Sequence, residues 1–129
     1  MASTVPIGFH FVESVAGFDV TDVLVVRIPH GVMRKRDLLT VFARDLSFPG
    51  YFGWNWDSLE ECLGSLDWLN DSRRIVLLHE GLPFQPDWEN RATYLNILKD
   101  AIAIWRPQEA HELIAVFPEH CRDDVLNAI

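Results

Sequence analysis

Basic residues are scarce in this chain: 11 lysines and arginines stand against 19 aspartates and glutamates, a formal net charge of −8. That balance argues against nonspecific nucleic-acid binding, which needs cations to displace counterions from phosphate. It leaves open a surface that imitates nucleic acid or attracts something basic, beside the plainer reading that the charge serves solubility. Cysteine is nearly absent. Cys62 and Cys121 lie far apart in sequence, which gives neither a disulfide framework nor metal-ligand spacing. Two free thiols in a reducing cytosol are expected. No apolar run exceeds a few residues, so no membrane span is expected. The start, MASTVPIGFHFVES, has no basic region ahead of an apolar core. No targeting segment is therefore expected, and a cytoplasmic location is. Internal repeats, low-complexity stretches and linkers are also missing.

Catalytic and metal-binding patterns are equally thin. His10, His30, His79, His111 and His120 are scattered, with no triad and no zinc spacing. Ser58 and Ser65 lack the strand–turn–helix setting of a nucleophile elbow. Cys62 falls among apolar helix positions and reads as a core filler rather than a nucleophile. His79 follows a strand and is either a site residue or, more simply, a structural one. The expectation is a protein that is not an enzyme and carries no cofactor or metal.

What the chain does have is apolar surface. Its 129 residues are 49% hydrophobic, with five Trp, eight Phe and two Tyr. That suits one domain over residues 1–129, with its core at about 22–117. Val23–Ile28 (VLVVRI), Ile75–Leu78 (IVLL) and Leu113–Phe117 (LIAVF) are short runs, apolar but for Arg27, that read as buried strands. The first of them suits a central strand covered on both faces. Helical spacing runs through Arg34–Leu46, about Asn55–Leu66 and Asp87–Trp105. The inner face of the last is Trp88, Ala92, Leu95, Leu98, Ile102 and Trp105. The tail, Glu119–Ile129, is a candidate short helix, and residues 1–22 read as a loosely patterned lead-in. Strands separated by helices imply parallel pairing and right-handed crossovers. The predicted fold is α/β: a small three-stranded parallel sheet packed against helices, with residues 8–13 as a candidate edge strand.

The second predicted helix and its entrance, FPGYFGWNWDSLEECLGSL, carry the least ordinary chemistry. Asn55 is a natural N-cap, because its side chain can accept from the free amides of the first turn. Trp56, Leu59, Cys62, Leu63 and Leu66 form an apolar stripe. Asp57, Glu60 and Glu61 project away from the Leu59–Leu63–Leu66 side. Asp57 is favoured there by the helix dipole. No basic residue occurs from Trp54 to Asn70, and Asp67 and Asp71 extend the acids past the helix end. Acids on a solvated face are the bland explanation. The aromatics weigh against it. Tyr51, Phe52, Trp54 and Trp56 cannot all face one core, and exposed aromatics beside uncompensated carboxylates look like the centre of an interface. Gly50 and Gly53 bracket the aromatics and are expected to let the loop turn sharply.

PGYFGWNWDSLEECL resembles the signature of the barstar family, intracellular inhibitors of the ribonuclease barnase. Pro49, Tyr51, Phe52, Gly53, Asn55, Asp57, Leu59, Glu61, Cys62 and Leu63 fill its places. The strand–helix–helix–strand–helix–strand order over about residues 22–117 is also similar to the family's. The resemblance implies a barstar-like fold and a loop and helix that plug a ribonuclease active site. It implies partner contacts at Tyr51, at Asn55 and Asp57 of the helix start, and at Glu61, which stands where the family's central acid reaches the phosphate site. Asp100, on the long helix, stands near a further acidic contact. Trp54, Trp56, Glu60 and Asp67 complete the candidate partner-binding set. This chain departs from the family in using Glu61 for an Asp, Glu60 for a Trp and Trp56 for a Leu. Leu66 and Asp67 also stand where the family has an aromatic and an apolar residue.

The implied protein is a bacterial toxin–antitoxin or immunity component. It would bind a basic, extracellular-type ribonuclease or related toxin one to one, with no nucleic acid and no membrane involved. Two other readings use the same surface. One is an immunity or interaction module for a toxin that is not a ribonuclease. The other is a carboxylate-based enzyme. It is disfavoured because acids on one helical face, with no histidine at ligand spacing, do not surround a cleft.

Overall fold

A computed structural model describes residues 4–71 and 73–129. Four strands form one sheet: β1 (Phe9–Val12), β2 (Leu24–Ile28), β3 (Arg73–His79) and β4 (His111–Pro118). Their order is β1-β4-β3-β2 and every pairing is parallel. The α/β class and the parallel sheet agree with the sequence reading, but the strand count of three does not. Phe9–Val12 pairs with β4, Phe9 opposite Ala115, and makes a fourth strand. The strand expected at the centre, β2, lies at the edge, and the central strands are β3 and β4.

Alternation explains why β3 and β4 are apolar throughout. Ile75, Leu77, Leu113, Ala115 and Phe117 face the main core. Val76, Leu78, Ile114 and Val116 face the other side, where half-buried Val15, Phe18 and Val20 pack over them. Residues 13–23, which carry the chain from one sheet edge to the other, therefore serve as the second cover. A strand buried on both faces has no polar positions to spare. The β2 run looks the same because Val23 and Val25 also meet this cover. Its edge position shows only at Arg27, which is exposed.

The helices are α1 (Lys35–Asp45), α2 (Trp56–Ser65), α3 (Trp88–Trp105) and α4 (Arg122–Ala128), the last entered through a 3-10 turn at Glu119–Cys121. Leu38, Leu39 and Phe42 of α1 and Leu95, Leu98, Ile102 and Trp105 of α3 are buried, as their spacing requires. Trp88 is not on the inner face. It is 66% exposed and lines a surface cleft with Ala92 and with Asp124 and Asn127 of α4. The tail helix is held to α3 where Asn96 Nδ2 donates to the carbonyl of Ala128 at 3.0 Å. Among the described residues no helix is long and apolar enough to cross a membrane.

Helices α2 and α3 lie side by side and run parallel. At their starts Trp56 Nε1 donates to Asn90 Oδ1 at 3.1 Å, and at their ends Trp105 Nε1 donates to the Leu63 carbonyl at 2.7 Å. These two indole bonds fix the rotation of α2, and so decide which of its residues meet solvent.

Candidate functional site

The loop entering α2 is half core and half surface. Phe52 is buried and packs against Phe48 at 4.7 Å, while Phe48 meets Trp68 at 5.4 Å. Trp68 Nε1 donates to the Leu46 carbonyl at 2.8 Å, closing this anchor. From it two aromatics project outward: Tyr51 is 63% exposed and Trp54 is 39% exposed. Trp56 is half-buried, against Phe84 and Tyr94. It belongs more to the support of the loop than to its outer surface.

The turn into the helix is built from short polar links. Asn55 Oδ1 accepts from the Ser58 amide at 2.7 Å, and Ser58 Oγ accepts from the Gly53 amide at 3.1 Å. A Cβ on Gly53 would come within 2.5 Å of Ser58 Oγ, so glycine is needed there for close approach. The chain turns at Gly50, where the Phe52 amide donates to the Pro49 carbonyl at 3.0 Å. Neither Gly50 nor Gly53 takes a left-handed conformation, whereas Trp54 does, at φ 58°. A side chain in that region costs about 1 kcal/mol or more, offset here by the bonds on either side. The result is a tryptophan whose ring leans on Phe52 at 5.1 Å yet keeps part of its surface in solvent.

On α2 itself Leu59, Cys62 and Leu63 are buried, while Asp57, Glu60 and Glu61 are exposed. None of these three carboxylates makes an ion pair among the described residues. Burial, then the nearby charges of Glu61 and Asp67, push the Cys62 thiol up, which keeps it protonated and unreactive. Asp67 is drawn into the group by Tyr51, whose hydroxyl donates to Asp67 Oδ1 at 3.0 Å. Desolvation, then that bond, raise the Tyr51 phenol above its ordinary value, so it remains a donor. Asp71 instead sits 3.9 Å from Arg73. Asp100 is exposed on α3, one turn before Ile104, and Ile104 Cδ1 lies 3.5 Å from where a Cβ on Gly64 would be. Asp100 therefore stands on the flank of α3 nearest α2, beyond the aromatic loop.

Bases from another element reach this face. The guanidinium of Arg36 lies 4.9 Å from the Trp54 ring centre, and Lys35 Nζ lies 6.0 Å from that of Trp56. Both come from the start of α1. The run Arg34-Lys35-Arg36 is plain in the sequence, but its meeting with Trp54 is tertiary and carries no local signal. Among the described residues no group of His, Cys, Asp and Glu is arranged to hold a metal ion.

Comparison with protein-family models matches residues 23–118 to the model described as Barstar (barnase inhibitor). No curated protein and no solved structure gives a match.

Proposed function

The chain belongs to the barstar family, described as barnase inhibitors, and from that premise we propose that it inhibits a basic ribonuclease by filling the active site with the acidic face of α2. The observation that carries this reading is the set of exposed carboxylates on one short helix, Asp57, Glu60 and Glu61, without ion-pair partners among the described residues. They stand beside the exposed rings of Tyr51 and Trp54. A ribonuclease site is basic because it must hold phosphates. Carboxylates at the phosphate positions can take the same arginines and lysines through charge-assisted bonds. Their field speeds encounter and weakens as salt screens it.

Glu61 is the central group, with Asp57 one turn before it and Glu60 beside it. Tyr51 and Trp54 supply desolvated contact area, Asn55 and Trp56 hold the helix start, and Asp67 and Asp100 extend the acidic surface. Binding is one to one, and it requires neither catalysis nor a cofactor. We place it in the cytoplasm, where the two free buried thiols would stay reduced.

Calorimetric titration into a purified barnase-type ribonuclease, at low and moderate salt beside a cleavage assay, tests the reading. Tight, salt-sensitive one-to-one binding with loss of cleavage is expected. Absence of binding would turn the reading toward a toxin that is not a ribonuclease. Glu61→Ala should weaken binding by about 2 kcal/mol, roughly 30-fold in Kd, through loss of one charge-assisted bond. Its melting temperature should stay close to that of the parent, because Glu61 is exposed. Melting without heating would make Glu61 a structural group and remove it from the interface.

A further inference from the structure

We infer that the bases at the start of α1 are a selectivity element of the binding face, one that repels ribonucleases whose positive surface continues past the active site. The inference rests on the inhibitor reading above. The two halves of the face meet at the aromatic loop. Arg36 stacks on Trp54 at 4.9 Å, and Lys35 approaches Trp56 at 6.0 Å. Trp54 and Trp56 flank Asn55, and Asp57 follows directly. A partner seated on Trp54 and the acids of α2 therefore also lies over Arg36.

Within α1 itself nothing favours cations at this place; what they gain is the stacking of Arg36 on Trp54 and the approach of Lys35 to Trp56. Arg34 occupies the N-cap position of α1 and makes no side-chain cap bond. The start of a helix is its positive end, where acids are favoured and bases are not. Yet Arg34, Lys35 and Arg36 follow one another there, all exposed. Their relief is slight: Arg34 is 3.8 Å from Asp37 across open solvent, and neither Lys35 nor Arg36 makes an ion pair among the described residues. A serine or aspartate at Arg34 would serve the helix better. The sequence forgoes that and puts positive charge beside a negative binding face.

Discrimination between related partners requires a term that penalises the wrong one, and like charges set face to face supply it. Acids on α2 alone would attract every basic nuclease. With the α1 bases beside them, the favoured partner is a ribonuclease whose basic cleft is bordered by carboxylates on the side that meets Trp54 and Arg36. Those carboxylates would take the guanidinium of Arg36 while the cleft takes Glu61.

The test sets a triple reversal, R34E/K35E/R36E, against the parent chain, using as the probe a purified barnase-type ribonuclease chosen because its positive surface continues past the active site. Glu61→Ala serves as the control for the acidic face. The reversed chain should fold, since acids suit the positive end of α1. It should bind the probe on the order of 10-fold more tightly, with a steeper fall on adding salt. An uncharged triple, R34Q/K35Q/R36Q, should fall between. Equal or weaker binding by the reversed chain, with Glu61→Ala still impaired, would overturn the selectivity element and leave the inhibitor reading intact. If neither the parent nor the reversed chain binds, the inhibitor reading for this class of enzyme fails, and the selectivity element falls with it.

Discussion

Leu59→Ala is expected to cost ~2–5 kcal/mol of folding free energy, the range for emptying a fully buried leucine site. Leu59 is 0% exposed and belongs to the main core, although its chain neighbour Glu60 is exposed. The loss is large against a domain total of about 5–15 kcal/mol. Its consequence reaches the site. Helix α2 has ten residues, and isolated helices shorter than ~12–15 residues are marginal in water. Packing through Leu59, Cys62 and Leu63 therefore supplies most of what holds α2 in shape, and with it the spacing of Asp57, Glu60 and Glu61. Urea denaturation should show the fall in midpoint, and partner binding should weaken with it. Glu61→Ala gives the opposite pattern, with binding lost and stability kept. A native-like midpoint for Leu59→Ala would mean that the helix is rotated out of the register that buries Leu59.

The contrast between these two variants follows from what was readable along the chain. Helical spacing placed Leu59, Cys62 and Leu63 inside and Glu60 and Glu61 outside, because one helix repeats its faces whatever it packs against. The N-cap at Asn55 was equally legible, since its bond to the Ser58 amide is local. What failed was information held between elements. An apolar strand cannot say whether it is central or at the edge when its second face is covered by a loop, as β2 is by the segment holding Val15, Phe18 and Val20. Periodicity extended over Trp88 had no way to mark that this position faces the surface cleft toward α4. The left-handed backbone at Trp54 carries no signal in the sequence, because anchoring on both sides holds it there against a tryptophan's preference. Arg36 stood eighteen residues from Trp54 in sequence, and only the fold brought them together.

His79 shows the same limit and yields the second large effect: folding stability should fall by roughly 3 kcal/mol between pH 6.5 and pH 4. The ring is 0% exposed at the end of β3 and stacks on Phe117 at 4.0 Å. Its Nδ1 lies 3.0 Å from the carbonyl oxygens of both Leu77 and Val116. Carbonyls only accept, so Nδ1 carries the proton and Nε2 accepts from the Tyr94 hydroxyl at 2.6 Å. Burial holds that hydroxyl well above its ordinary value, so it stays a donor. Burial lowers the His79 pKa from 6.5 to about 4, against the smaller opposing pull of the two carbonyls. Above pH 6.5 neither the folded nor the unfolded chain protonates this ring appreciably, and its contribution is complete. As pH falls toward 4 the unfolded chain takes up a proton that the folded one refuses, at about 1.4 kcal/mol per pH unit. His111, lowered by burial and then by Arg73, adds in the same direction. Denaturation curves across this window test the assignment in parent and His79→Leu. The variant should be weaker at pH 7, where Tyr94 and both carbonyls lose their partner, yet most of its pH dependence should vanish. A slope unchanged in His79→Leu would assign the acid sensitivity to other groups and leave the buried imidazole with a packing role alone.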